Sequence, residues 1–292
     1  MRIVVCLGRA VDPDESLELR SGVERLDAEK LVYWLNAADA CALEQALRLK
    51  ERRPHSEVFV LSMTPPRGSP VLRNALSLGA DAAIRLWDAR FEGSDSLATA
   101  RILAAAIRRL GTDLILCGDR ATDGNTGQVA LQLAELLGWP AIPGALDLDA
   151  LDDGELRAQR KLDRGLRCTV RCSLPALFTV EPGTSRPRYP RLRDRLRAEA
   201  ASIPTWGLDD LGLKAQEVGE RGSRTRVVGV SRPKPSTKGM FIPDADLSPE
   251  ERWEQIVSGG GVPGQAQSGP AGGSPQDQVA QIVGFLERGG YL

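Results

Sequence analysis

The sequence has a single histidine, His55, and this scarcity argues against the commonest catalytic and metal sites. A Ser-His-Asp triad, a Cys-His pair and a histidine-rich metal centre each need a histidine in a defined place. His55 lies in a polar Arg-Arg-Pro-His-Ser segment that is typical of a solvated turn. We therefore expect no catalytic residues and no metal ligands in this chain.

Cysteines are few, and their spacing does not indicate a metal or redox motif. The chain has five, with no Cys-x-x-Cys pair: Cys6, Cys41, Cys117, Cys168 and Cys172. An odd, scattered set predicts reduced thiols and a cytoplasmic location. The beginning of the chain reads as a strand rather than a targeting segment, and no apolar run reaches the ~20 residues that a membrane span needs.

The chain also lacks an excess of charge and is poor in aromatic residues. Its 38 basic and 39 acidic residues leave a net charge of −1, and aromatics make up 4%. Nucleic acid is therefore a poor candidate ligand. No Gly-x-x-x-x-Gly-Lys-Ser/Thr motif is present, and the Gly-x-Gly-x-x-Gly at residues 259–264 follows no predicted strand, which makes it a linker.

Short apolar runs alternate with helical patterns along residues 1–200. Strands are expected at 2–7, 57–62, 82–87, 113–117 and 176–180, and helices from Asp39 to before Pro54 and at 69–78, 94–110 and 125–137. This pattern predicts an α/β fold with a doubly wound, mainly parallel sheet of order 3-2-1-4-5. Segments 155–162 and 166–173 alternate in polarity and predict an antiparallel hairpin. A ligand crevice is expected where strands 1 and 4 adjoin, because the winding direction reverses there.

After residue 200 the composition changes. We predict a nucleotide-binding α/β domain over residues 1–200 and an extended C-terminal arm over 201–292. Residues 258–275 are rich in Gly and Pro and predict a linker, and residues 276–288 predict an amphipathic helix. Such an arm is expected to pack on a partner subunit.

The segment from Gly118 to Val129 is the strongest candidate for a binding site. Small residues there let a ligand approach the backbone, and a helix start offers unpaired N–H groups to a phosphate or pyrophosphate. Asn125 and Thr126 could cap the helix or bind the ligand, and Asp123 could accept from backbone N–H groups or from a ribose hydroxyl. A capped loop that binds nothing is the alternative.

Four segments, in order and at matching spacing, resemble the β subunits of electron-transfer flavoproteins. They are residues 35–51 (Leu-Asn-Ala-Ala-Asp-Ala-Cys-Ala-Leu-Glu-Gln-Ala-Leu-Arg-Leu-Lys-Glu), 76–81 (Leu-Ser-Leu-Gly-Ala-Asp), 123–128 (Asp-Gly-Asn-Thr-Gly-Gln) with 137–140 (Leu-Gly-Trp-Pro), and 187–192 (Pro-Arg-Tyr-Pro-Arg-Leu). The chain departs from the family pattern at Ala37, where the family has proline, and at Ala130, where it usually has glycine.

The resemblance implies an adenine-nucleotide-hydrolase-like α/β domain that binds AMP, or a second FAD in electron-bifurcating members. Residues 211–214 and 218–225 resemble tail segments of bifurcating members, which favours FAD, but both ligands stay open. The implied cofactor-binding residues are Cys6, Asn36, Ala37, Ala38, Asp39, Met63, Gly118, Asp119, Arg120, Ala121, Thr122, Asp123, Gly124, Asn125, Thr126, Gly127, Gln128 and Val129.

The resemblance also implies partners. The family's α subunit carries most of the redox FAD, and the two subunits form a heterodimer that relays electrons between dehydrogenases or quinone reductases and an acceptor. Tyr189 and Leu192 resemble the family's recognition loop, and nearby arginines would favour an acidic partner protein. Two alternatives are a stand-alone adenine-nucleotide-binding regulatory module and an ATP-using ligase, although the segment after strand 1 supplies no convincing pyrophosphate loop for the latter.

Overall fold

The computed structural model describes residues 1–11, 31–151, 154–228 and 247–257. The strands in these ranges are β1 (Arg2–Cys6), β2 (Arg9–Val11), β3 (Tyr33–Leu35), β4 (Glu57–Met63), β5 (Ala82–Leu86), β6 (Leu114–Gly118), β7 (Ala141–Ala150), β8 (Glu155–Lys161), β9 (Arg167–Ser173), β10 (Ala176–Val180) and β11 (Thr205–Trp206). The α-helices are α1 (Ala37–Arg52), α2 (Ser69–Leu78), α3 (Ser96–Leu110), α4 (Val129–Leu137), α5 (Leu192–Ala200), α6 (Gly219–Gly222) and α7 (Pro249–Val257).

Nine of the described strands form one sheet in the order β11-β5-β4-β1-β6-β10-β7-β8-β9. The predicted order 3-2-1-4-5 is confirmed, because it corresponds to the central run β5-β4-β1-β6-β10, in which every neighbouring pair is parallel. The predicted hairpin is confirmed as well: β8 and β9 pair antiparallel at one edge of the same sheet. Strands β2 and β3 form a separate two-stranded sheet.

Strand β7 was not predicted, because Pro143 and Gly144 interrupt its sequence pattern. The strand pairs in parallel with β10 and antiparallel with β8. Its register against β10 shifts between Phe178 and Val180, and the backbone N–H of Gly144 donates to Thr179 Oγ1 at 3.0 Å. The irregularity thus lies at Pro143 and Gly144, residue types that are common at β-bulges.

Helices cover both faces of the sheet, and the alternation of side chains within β1 shows why. Ile3 and Val5 pack into one buried cluster with α1 and α2, whereas Val4 and Cys6 pack into a second with α3 and α4. A central parallel strand is apolar on both sides because both of its faces are covered. Helices following β1 and β6 therefore lie on opposite faces, which opens the sheet between the ends of these two strands.

A compact unit runs from Met1 to Ser231, so it takes in residues 201–228 of the predicted arm. There β11 pairs with β5. The carboxylate of Asp95, which caps α3, accepts hydrogen bonds from the backbone N–H groups of Arg224 and Thr225. Residues 232–292 form a second unit, of which α7 is described. The predicted linker at 258–275 and terminal helix at 276–288 lie outside the described residues.

Candidate functional site

A cavity of about 190 Å³ lies at the carboxyl ends of β1, β4 and β6, the place predicted for the crevice. Twelve of the residues predicted to bind the cofactor line it: Cys6, Asn36, Asp39, Met63, Gly118, Asp119, Arg120, Ala121, Thr126, Gly127, Gln128 and Val129. Four separate stretches of the sequence thus meet at one place. Whether they bind a cofactor remains a prediction.

Six of the predicted residues do not line the cavity. Ala37 is exposed on the first turn of α1, Ala38 is buried beside Gly118, and residues 122–125 form an exposed loop tip. Conversely, the cavity is also lined by residues that were not predicted: Leu7, Gly8, Leu61, Thr99, Leu103, Cys117 and Ala130. The rule that ligands lie at strand ends points to Leu7, Gly8, Leu61 and Cys117, but Thr99 and Leu103 are on α3 and carry no comparable signal.

The expected helix at 125–137 begins four residues later than predicted. Asn125 has φ 47° and Gly127 has φ 61°, so the backbone turns through the left-handed region before α4 starts at Val129. Asn125 and Thr126 consequently do not cap the helix. Gln128 precedes α4, and its side chain makes no capping hydrogen bond within the described structure. The N–H groups of the first turn, which a helix cannot satisfy internally, are left for water or a ligand.

The carboxylate of Asp39 ties together the two strand ends that border the cavity. Its Oδ2 accepts from the N–H of Gly8 after β1, and its Oδ1 accepts from the N–H of Gly118 at the end of β6, each at 2.7 Å. A Cβ on Gly118 would lie 2.4 Å from Asp39 Oδ1 and 2.7 Å from Ala38 Cβ, so no larger residue fits without displacement. Asp39 therefore positions the loop that begins at Gly118.

Burial raises the pKa of Asp39 from 3.8 to about 6, although the hydrogen bonds from Gly8 and Gly118 oppose the shift. Because the pKa is higher in the folded than in the unfolded chain, folding is favoured most when the carboxyl is protonated. We expect this group to contribute stability below about pH 4 that is lost as the pH rises through 6, with a total change of about 3 kcal/mol.

Urea denaturation at pH 4.5 and pH 7 tests this expectation. The asparagine side chain of Asp39→Asn has a similar shape but does not titrate. The free energy of unfolding should therefore fall less between pH 4.5 and pH 7 in this variant than in the parent chain. The lowered pKa values of Asp88 and Asp95 confine the losses from their protonation to more acidic conditions. An identical pH dependence in Asp39→Asn and the parent chain would rule out the titration of Asp39 as its source.

Asn36 offers an unused hydrogen-bond acceptor at the cavity wall. Its Nδ2 donates to the carbonyl of Arg120 at 3.0 Å, and its backbone N–H donates to the carbonyl of Gly8 at 3.1 Å. Its Oδ1 is buried and has no hydrogen-bond partner among the described residues. Since buried acceptors in folded proteins are normally satisfied, a bound hydroxyl or amino group is a fitting donor.

Two thiols form part of the cavity wall. Cys6 and Cys117 are in register on the adjacent strands β1 and β6. A hydrogen bond with Cys6, together with burial, raises the pKa of Cys117 well above its usual value. Because the thiol stays uncharged, this wall of the cavity is apolar and unreactive. Such a wall is better suited to contact an aromatic ring of a ligand than a phosphate.

The predicted docking residues lie at the surface. Tyr189 is 83% exposed and Leu192, the first residue of α5, is 74% exposed. Their loop is anchored at its base, because the guanidinium Nε of Arg188 donates to the buried carboxylate of Glu44 at 2.9 Å. In addition, Ser185 and Cys41 exchange hydrogen bonds between their side chains and backbone carbonyls. An exposed apolar pair on an anchored loop is a suitable contact surface for another protein.

The fold and the site together define a class: a doubly wound α/β protein with a cavity at the point where the sheet reverses its winding. Residues 26–211 match the family model described as "Electron transfer flavoprotein domain". The chain is 33% identical to the electron transfer flavoprotein subunit beta of Methylophilus methylotrophus over 246 residues, which cover 84% of this chain and 89% of the relative.

Two further relatives extend the comparison. The chain is 34% identical to the caffeyl-CoA reductase-Etf complex subunit CarD of Acetobacterium woodii, with 83% of this chain and 92% of that one covered. It is 31% identical to the electron transfer flavoprotein subunit beta of Megasphaera elsdenii, with 88% and 97% covered. The chain belongs to the electron transfer flavoprotein β-subunit family.

No helix in the described ranges has both the length and the apolar character needed to cross a membrane. Among the same residues, no group of three or more His, Cys, Asp or Glu side chains lies close enough to hold a metal ion.

Proposed function

We propose that this protein is the β subunit of an electron-carrying heterodimer, in which an α subunit holds the redox FAD and this chain holds an adenine nucleotide. The observation that carries the proposal is the cavity at the junction of β1 and β6, together with the small-residue loop that leads into α4. Membership of the electron transfer flavoprotein family supports the association with a flavin.

The residues of the cavity fit an adenine nucleotide. Asn36 Oδ1 is a buried acceptor in need of a donor, which an adenine amino group or a ribose hydroxyl supplies. Gly8 and Gly118 keep the backbone near Asp39 free of side chains. The cavity is smaller than the roughly 300–1,000 Å³ of most small-molecule sites. It suits the adenosine part of AMP or of FAD, with the remainder of an FAD outside it.

This chain's role in the proposed relay is to bind and position rather than to catalyse. A bound flavin supplies the electron-transfer chemistry, and the protein fixes its place and its surroundings. The loop at Tyr189 and Leu192 is proposed as the contact with dehydrogenases or quinone reductases. One relative is named as a subunit of a complex with a reductase, which supports redox enzymes as partners. A cytoplasmic location remains a prediction.

Co-expression with an α subunit tests the proposal. We expect the two chains to co-purify as a heterodimer whose yellow flavin absorption bleaches on reduction. The stand-alone regulatory module predicts instead a monodisperse, nucleotide-loaded monomer that takes up no flavin when mixed with the α subunit. That second outcome would contradict the proposal.

A further inference from the structure

Arg9 adjoins the cavity wall in sequence, although neither a sequence motif nor the resemblance singles it out. It is the first residue of β2 and follows Gly8, which lines the cavity. Across the two-stranded sheet, Arg9 is in register with Leu35. The residue after Leu35, Asn36, lines the cavity. Arg9 thus directly follows one residue of the cavity wall, and its partner across the sheet directly precedes another.

The guanidinium of Arg9 is held in place but has spare hydrogen-bonding capacity. Its Cζ lies 4.0 Å from the centroid of the Tyr33 ring, a cation–π contact that restrains the side chain. Its Nη1 is buried and has no hydrogen-bond partner within the described ranges. A buried charged donor without a partner is unfavourable, and an anionic ligand would supply the missing acceptor.

The charges around Arg9 favour an anion. Burial lowers the pKa of Arg9, the nearby Arg67 lowers it further, and Tyr33 and Asp123 act in the opposite sense. The guanidinium keeps its proton, since arginine is effectively always charged. Arg67 and Asp123, the latter at the tip of the loop that leads into α4, are both near enough to Arg9 to affect its pKa. Arg120, the arginine within that loop, is already engaged by Asp119 at 2.8 Å.

We propose that Arg9 binds a phosphate of the nucleotide whose adenosine part occupies the cavity. The inference rests on the proposed function and adds a second positive charge to that of Arg120, the one cation among the predicted site residues, which is paired with Asp119. The Tyr33 ring orients the guanidinium, Nη1–H donates to a phosphate oxygen, and the N–H groups at the start of α4 contact the same anionic group. AMP and the diphosphate of FAD both present this chemistry.

The test separates phosphate recognition from adenosine recognition. Arg9→Gln is prepared in the full-length chain together with the α subunit, freed of nucleotide, and titrated with AMP and with adenosine. We expect the Kd of AMP to rise about tenfold, because a charge-assisted hydrogen bond to the phosphate is lost, and the Kd of adenosine to stay unchanged. Unchanged adenosine binding also shows that the variant is folded.

Two further variants sharpen the comparison. Arg9→Lys keeps the charge but lacks the planar fork, so its AMP affinity should fall between those of Arg9→Gln and the parent chain. Arg195→Gln removes an exposed arginine on α5, outside the cavity lining, and should leave both affinities unchanged.

Equal AMP affinity in Arg9→Gln and the parent chain would overturn the inference while leaving the nucleotide site intact. An equal loss of AMP and adenosine binding would also overturn it, since Arg9 would then act on the cavity as a whole. If the parent chain binds neither AMP nor FAD, the proposed function fails and this inference fails with it.

Discussion

Gly118→Ala is expected to abolish nucleotide retention and to lower the free energy of unfolding by about 1–3 kcal/mol, the usual cost of overpacking. The new methyl group would lie 2.4 Å from Asp39 Oδ1 and 2.8 Å from the backbone nitrogen of Asp39. It must therefore push α1 away from β6 or break the hydrogen bond between the N–H of Gly118 and Asp39. Either movement displaces the loop that leads into α4.

Gly124→Ala is the matched control. Gly124 lies in the same loop, a Cβ there would meet no atom within 4 Å, and its φ is not in the left-handed region. We expect this variant to retain nucleotide and stability. Urea denaturation and the nucleotide content of the purified variants measure both quantities. A Gly118→Ala protein that keeps its nucleotide as well as Gly124→Ala does would show that the close approach of α1 and β6 is not needed for binding.

Leu192→Ala is expected to slow electron exchange with a dehydrogenase partner about tenfold without affecting the fold. The side chain is 74% exposed, so its truncation removes little buried area within this chain. An apolar anchor buried by a partner, in contrast, commonly contributes 2 kcal/mol or more to binding. The hydrogen bond between Arg188 and Glu44 holds the base of the loop in place. Leu192 is therefore already ordered before a partner binds, and little conformational entropy is lost on binding.

Leu166→Ala serves as the comparison, because Leu166 is a leucine of similar exposure, 65%, beside the β8–β9 hairpin. Stopped-flow measurement of flavin reduction in the heterodimer should give a normal rate for this variant and a reduced rate for Leu192→Ala. Equal rates for the two variants would remove the docking role from Leu192.

The sheet could be predicted from the sequence because its strands are short apolar runs separated by helical patterns. Strand β1 illustrates this: apolar residues on both of its faces are required by burial between two helical layers. Once the order of the strands is known, the crevice follows from the reversal of winding. The predicted loop at 118–129 therefore lies at the cavity, with most of its residues lining it.

Features that depend on local backbone geometry or on long-range contacts could not be predicted in the same way. The predicted start of α4 was wrong, because left-handed φ angles at Asn125 and Gly127 leave no periodic pattern in the sequence. Asp39 was predicted as a cofactor-binding residue and lines the cavity, but the sequence did not predict that both of its carboxylate oxygens accept hydrogen bonds from the chain's own backbone. The position of Arg9 opposite Leu35, next to the cavity-lining Asn36, follows only from the pairing of β2 with β3 across 21 intervening residues that carry no motif for it.

Mass analysis of the small molecules released from the purified heterodimer tests the central claim most directly. The account predicts two adenine-containing cofactors per pair of chains: one FAD with one AMP, or two FAD. A heterodimer that releases a single FAD and no further adenine nucleotide would contradict the assignment of the cavity between β1 and β6 as a nucleotide site.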